Sequence, residues 1–360
     1  MLETAPLIHQ PSVQVILEIW TNRYRSVLPS EMAHVDSESL AKAASTEGRK
    51  RTATALRKRL VVACERAALQ TSSLFSKLES LNNHVNLGDA RRVAKVLANV
   101  YGGLLDVYEQ QQSSPIALGY LGMNGKSHQE WVRANMIQPS SIEQLINALE
   151  PLLLEFQKQN LDCRDNRTVG FMSTQFHLGT QILLERLSPA EQGLLLPYLR
   201  FVEEQVCIPW QRVCAAAAKH SGGSPLFEAA LTLLPLSQEI SEVVYQKAVS
   251  AYPKHLSRRG YLDNPAIAAS SLRDHTMFQA YFWLSVLESS PRIIEEELLP
   301  LCTMVYPSLS VDWELVEYGI NTLLDEILDR LSLEHQSRVQ PYAVLMKSIF
   351  TGAQNRAIAF

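Results

Sequence analysis

Apolar residues recur along most of this chain at the three-and-four spacing that lines up one face of a helix. Leu145, Leu149, Leu152, Leu153 and Phe156 make one such stripe, and Leu194, Leu195, Tyr198, Leu199, Val202 and Val206 make another. A third joins Leu315, Val316, Ile320, Leu323, Leu324, Ile327, Leu328 and Leu331, leaving Asp325, Glu326, Asp329 and Arg330 on the other side. Each stripe predicts an amphipathic helix packed by one face. Start signals precede several of them. Ser188-Pro189-Ala190-Glu191 combines a capping serine, a proline where no helical hydrogen bond is lost, and a glutamate able to reach back to the cap amide. Ser224-Pro225, Asn264-Pro265 and Ser290-Pro291 repeat the cap-plus-proline half, and Ser140-Ser141-Ile142-Glu143 gives the box without proline.

Alternation of period two is nearly missing. Its best instance, Pro115 to Leu121, stands alone and would have no ladder partner. The pattern therefore predicts an all-α protein of multi-helix, bundle-like architecture. Polar residues, Pro115 and the glycines at 119, 122 and 125 disfavour continuous helix, so a linker is placed at 113–139. It divides a basic N-terminal helical region, 1–112, from a larger C-terminal domain, 140–360, of roughly eight or nine helices of ordinary length. In the first region a helix is expected near 12–28, with long helical segments at 49–81 and 89–110. Ala94, Ala98 and Gly102, four apart, predict close approach of another helix. Residues 182–203 and 326–347 align with identities at Leu184, Arg186, Leu187, Ser188, Gln192, Pro197 and Tyr198. That alignment is compatible with duplicated helical hairpins, each interrupted at Pro-Tyr.

Composition narrows the class. The 360 residues are 46% apolar and 19% charged with a net charge of −4, enough apolar surface for a core and too little charge for a disordered chain. The start Met1-Leu2-Glu3-Thr4-Ala5-Pro6 lacks the basic and apolar parts of a secretory leader. No run approaches the roughly 18 apolar residues of a spanning helix. Cys64, Cys163, Cys207, Cys214 and Cys302 form no CxxC pair, which argues against a disulfide framework or a zinc knuckle. Cys207 and Cys214 would share a helical face if one helix ran through Pro209. The expectation is a soluble, cytoplasmic protein with no membrane contact.

Candidate chemistry is sparse. Gly122-Met123-Asn124-Gly125-Lys126-Ser127 ends like a phosphate-binding loop, yet Tyr120 stands where that loop needs its first glycine. Asp325-Glu326-Ile327-Leu328-Asp329 resembles the acidic metal-binding motif of class I terpene synthases, an all-helical family. The resemblance implies a metal site; the place of these acids on the polar side of a helix makes them a solvated face, and we read them so. None of the nine histidines has HxxH or HxxxH spacing. His275 precedes Met277, Phe278, Tyr281, Phe282 and Trp283, a set that lines a flat cofactor or else buries the aromatic side of a helix. Asp162-Cys163-Arg164-Asp165 sets an arginine beside a thiol without an assignable base, and no Gly-x-Ser-x-Gly elbow occurs. No catalytic residue, metal or cofactor is assigned, and a non-enzyme is expected.

Charge asymmetry is the firmest remaining signal. Residues 42–95 carry twelve Lys and Arg against four acids, and 285–335 carry eleven acids against two bases. The basic stretch comprises Arg49, Lys50, Arg51, Arg57, Lys58, Arg59, Arg66, Arg91, Arg92 and Lys95. The leading expectation is a regulatory or scaffold protein that uses these residues to dock a protein partner or a second copy of itself. The alternatives are a helical DNA- or RNA-binding regulator using 49–59, and a helical cofactor-binding protein near His275. A solvated helix face is the reading that assigns the cations no partner.

Overall fold

The computed structural model describes residues 15–16, 18–19, 35–75, 87–111, 139–161, 167–221, 223–258 and 260–357. Among them the all-α expectation holds. The helices are α1 (Ser37–Ala44), α2 (Thr46–Arg57), α3 (Leu60–Phe75), α4 (Leu87–Gln110), α5 (Pro139–Leu161), α6 (Arg167–Leu184) and α7 (Pro189–Cys207). They continue as α8 (Trp210–Ala217), α9 (Pro225–Leu233), α10 (Ser237–Ala251), α11 (Pro265–Leu287), α12 (Leu299–Ser308), α13 (Trp313–Asp329) and α14 (Leu333–Ala357). A π-helical turn, Ile294–Leu298, leads into α12. Strands β1 (Leu256–Ser257) and β2 (Gly260–Tyr261) pair antiparallel, Leu256 opposite Tyr261. Two residues are too few to show a period, which is why no pattern announces this hairpin; Gly260, at φ +123°, takes its turn conformation.

The start signals act as their chemistry dictates, with exceptions. The Ser188 amide donates to Glu191 Oε2 at 2.9 Å, and the second carboxylate oxygen of Glu191 accepts from Thr52 Oγ1 at 2.8 Å, so one cap also ties α7 to α2. Ser224 makes no side-chain cap on α9; its hydroxyl is taken by His220 Nδ1 at 2.9 Å. Pro197 and Pro341, expected to interrupt their helices, lie inside α7 and α14. In α7, burial of Leu194, Leu195, Tyr198 and Leu199 around the proline outweighs the one lost hydrogen bond. Cys207 ends α7 and Trp210 begins α8, so Cys207 and Cys214 share no helix. The windows 182–203 and 326–347 each hold a helix end, a serine turn and the next helix.

The described residues fall into two compact units: 35–161 with 171–206, and 207–357 with 167–170 and the helical residues at 15–19. The boundary expected at 113–139 thus moves to about residue 206, and the linker itself lies outside the described residues apart from its last position. Helices α5 to α7 join the first unit because they complete its core. Tyr101 on α4 donates to the Phe176 carbonyl at 2.8 Å, and Tyr108 meets the Tyr198 ring edge-on at 5.3 Å. Close approach is not centred on the Ala94, Ala98 and Gly102 stripe: a side chain at Gly102 would meet open space. The tight positions are Gly48, whose missing Cβ would lie 2.0 Å from the Lys42 carbonyl oxygen, and Gly179, packed on Leu97 and Tyr101.

The second unit is built around α11. Every residue from His275 to Leu287 is buried, and α8, α9, α10, α13 and α14 pack against the helix. Several of its polar side chains find partners inside, while Gln279 Oε1 and Trp283 Nε1 have none among the described residues. Gln279 Nε2 donates to the Ser237 carbonyl at 2.8 Å and to Ser241 Oγ at 2.9 Å. His275 Nδ1 lies 3.2 Å from the Ser241 carbonyl, and since a carbonyl only accepts, the proton sits on Nδ1. Burial pulls the His275 pKa down to about 4, against the opposing pull of that hydrogen bond.

Two outcomes test this packing. Gly48→Ala drives a methyl group into backbone and destabilises the fold by about 3 kcal/mol, whereas Gly102→Ala stabilises it by about 0.5–1 kcal/mol through helix propensity; urea unfolding reads both. His275 supplies the pH dependence. Its ordinary value of 6.5 falls to about 4 on folding, so the unfolded chain takes up the proton first. The stability from neutral His275 is complete above pH 6.5, declines between 6.5 and 4, and is then spent. The loss is about 3 kcal/mol. His275→Asn keeps the donor and removes that slope.

Candidate functional site

The cations of the basic stretch do not form one free surface. Arg49 is fully buried, its Nε donating to the Ala44 carbonyl at 3.2 Å and its guanidinium lying 4.8 Å over the Tyr108 ring. Arg57 reaches across to α4 and pairs with Asp106 and Glu109, each at 2.6 Å. Arg59 donates to the Leu183 carbonyl at 2.8 Å, and Arg66 pairs with Glu185 at 3.0 Å. Arg92 is half-buried; Lys50, Arg51, Lys58, Arg91 and Lys95 are exposed. The reason is rotational: consecutive helical residues point 100° apart, so a triplet of cations cannot share one face. Arg49, Arg57 and Arg59 serve as fasteners within the unit.

Part of the acidic region is paired as well. Glu326, expected on a solvated face, is buried and accepts from Lys247 and Arg330. Asp325 pairs with Lys347 at 2.5 Å, Glu297 with Arg212 at 2.8 Å and Glu296 with Arg292 at 2.7 Å. Among the described residues no group of three His, Cys, Asp or Glu is arranged to hold a metal, and no helix is long and apolar enough to cross a membrane. Met277, Phe278, Tyr281, Phe282 and Trp283 are core residues, and His275 is hydrogen-bonded among them. The loop at 122–127, the strand candidate at 115–121, Cys163 and His9, His34, His84 and His128 lie outside the described residues.

One cluster escaped sequence reasoning. Where α11 emerges from its enclosure, just before His275, Arg273 and Asp274 stand half-buried, Arg273 Nη2 lying 3.5 Å from Asp274 Oδ1. The Tyr306 hydroxyl on α12 donates to Asp274 Oδ2 at 3.3 Å. Cys302, one turn before Tyr306, is buried near the same carboxylate. Burial and then the Asp274 charge push both the Cys302 thiol and the Tyr306 phenol well above their ordinary ranges. The thiol therefore stays protonated and is no nucleophile. What remains is a half-buried carboxylate steadied by a phenol beside a guanidinium. Only the adjacency of Arg273 and Asp274 was legible; their partners on α12 are about thirty residues away along the chain.

A family model described as Phycobilisome protein matches residues 215–347, about a third of the chain. The matched stretch runs from α8 into α14 and contains all of α11, with Arg273, Asp274, Cys302 and Tyr306. No curated protein and no solved structure matches the chain significantly. The family match overturns the expectation of a regulatory or scaffold protein, together with its DNA- and RNA-binding alternative. The remaining alternative, a helical cofactor-binding protein near His275, is the one the family match favours, although the imidazole itself is enclosed and bonded to the Ser241 carbonyl. The coarser expectation of protein partners or further copies agrees with a family named for an assembly.

Proposed function

We propose that this chain is a non-enzymatic light-harvesting protein of the phycobilisome type, whose 215–347 segment receives a bilin, a linear tetrapyrrole. The family match over that segment carries the reading. The chemistry of the pigment sets the test of fit. Its pyrrole N–H groups call for a carboxylate and its propionates for a cation, and charge-assisted hydrogen bonds of this kind are the strong ones. Asp274 and Arg273 supply one of each, half-buried on α11, with the Tyr306 hydroxyl holding the carboxylate in place. Partial burial strengthens such contacts relative to a fully wet surface.

A covalent link does not fit. Cys302 is the single cysteine of the matched segment, and its thiol is buried and held protonated. The pigment would therefore be held by non-covalent contacts. When bound, it would supply absorption in the visible, and Asp274 and Arg273 would orient it.

Production in cells that make biliverdin tests this. The purified chain is expected to absorb visible light, and its colour to leave the polypeptide on a denaturing gel. Asp274→Asn and Arg273→Gln each weaken pigment retention roughly ten- to a hundredfold, from the about 1.5–3 kcal/mol of a hydrogen bond to a charged group. Cys302→Ala leaves retention unchanged. A colourless wild-type protein overturns the proposal.

A further inference from the structure

Helix α3 carries apolar residues on both of its faces. The inner face is Ala63, Cys64, Ala67, Ala68 and Thr71, all buried. The outer face leaves Val62 67% and Leu69 62% exposed, with Val61 60% exposed beside them. Together these three neighbouring side chains form an apolar patch on a helix already packed from within, the kind of surface that a partner covers. Between Val62 and Leu69 lie Glu65 and Arg66, both exposed. At 100° per residue these four residues fall on one stripe.

Their order is apolar, acid, base, apolar, and it is complementary to itself about the midpoint between Glu65 and Arg66. A second α3 placed antiparallel by a two-fold axis through that midpoint sets Val62 opposite Leu69 of the partner copy. The same rotation sets Glu65 opposite Arg66 of the partner copy, and symmetry repeats each contact. The reverse, parallel arrangement would set Glu65 against Glu65 and Arg66 against Arg66. Arg66 also pairs within its own chain with Glu185 at 3.0 Å, but both side chains stay about half exposed and a guanidinium has donors for two carboxylates. Glu65 has no ion pair among the described residues and is the acid left over for a neighbour's cation.

We propose that α3 is a self-pairing surface through which two copies of the chain form an isologous, antiparallel dimer. The surface lies outside the 215–347 segment and is independent of pigment. Because one helix pair buries less area than a standard interface, dissociation is expected in roughly the micromolar range.

Sedimentation velocity of the full chain over a dilution series tests the proposal, with circular dichroism confirming that each variant keeps its helical content. The wild type is expected to pass from monomer to dimer with concentration. Val62→Lys with Leu69→Lys abolishes the dimer. Glu65→Arg, which sets arginine against Arg66 of the partner copy, weakens it roughly tenfold or more. Glu65→Arg combined with Arg66→Glu restores opposite charges in the same register and recovers dimerisation to within a few-fold. A wild type that stays monomeric throughout, a dimer indifferent to the two lysines, or a charge swap no better than the single reversal overturns it.

Discussion

A helix buried on every side must satisfy its polar groups from inside the protein, and the C-terminal unit is arranged around one such helix. From His275 onward α11 is buried, and Gln279 and His275 are bonded to Ser237 and Ser241 on α10. The cost of an unpaired buried polar group fixes the register of the two helices. It also forces His275 to stay neutral. Charge is tolerated only where α11 leaves its enclosure, and that is where Arg273 and Asp274 stand. The place of the candidate pigment contact follows from where burial ends.

The N-terminal unit uses charge differently. Arg57 and Arg66 bridge to α4 and to the end of α6, while Arg49 lies wholly inside over Tyr108. Exposed pairs of this kind contribute little each, and their larger role is to select which helix faces meet. Gly48 permits the closest approach, because the Lys42 carbonyl occupies the space a side chain would need.

Helical periodicity carried most of the architecture. The stripes at 145–156, 194–206 and 315–331 became α5, α7 and α13, and the box at Ser188 closes as its residue types require. Four things were not legible, each for a physical reason. Local charge density cannot tell an arginine that faces solvent from one turned into a helix contact, as Arg49 shows. A two-residue hairpin is shorter than any period. A proline breaks a helix in isolation but not one held by burial on either side, as at Pro197. The cluster of Arg273, Asp274 and Tyr306 depends on how α11 and α12 meet, which no local pattern encodes. The family match over 215–347 supplied the functional context that composition lacked.

Under the proposed function, pigment is received where α11 emerges beside α12. Hydrogen exchange of the full chain, with and without biliverdin, tests it most directly. Added protection is predicted around residues 268–276 and around Tyr306, with α1 to α4 unchanged. No change at those two places, or protection confined to the N-terminal helices, would contradict it.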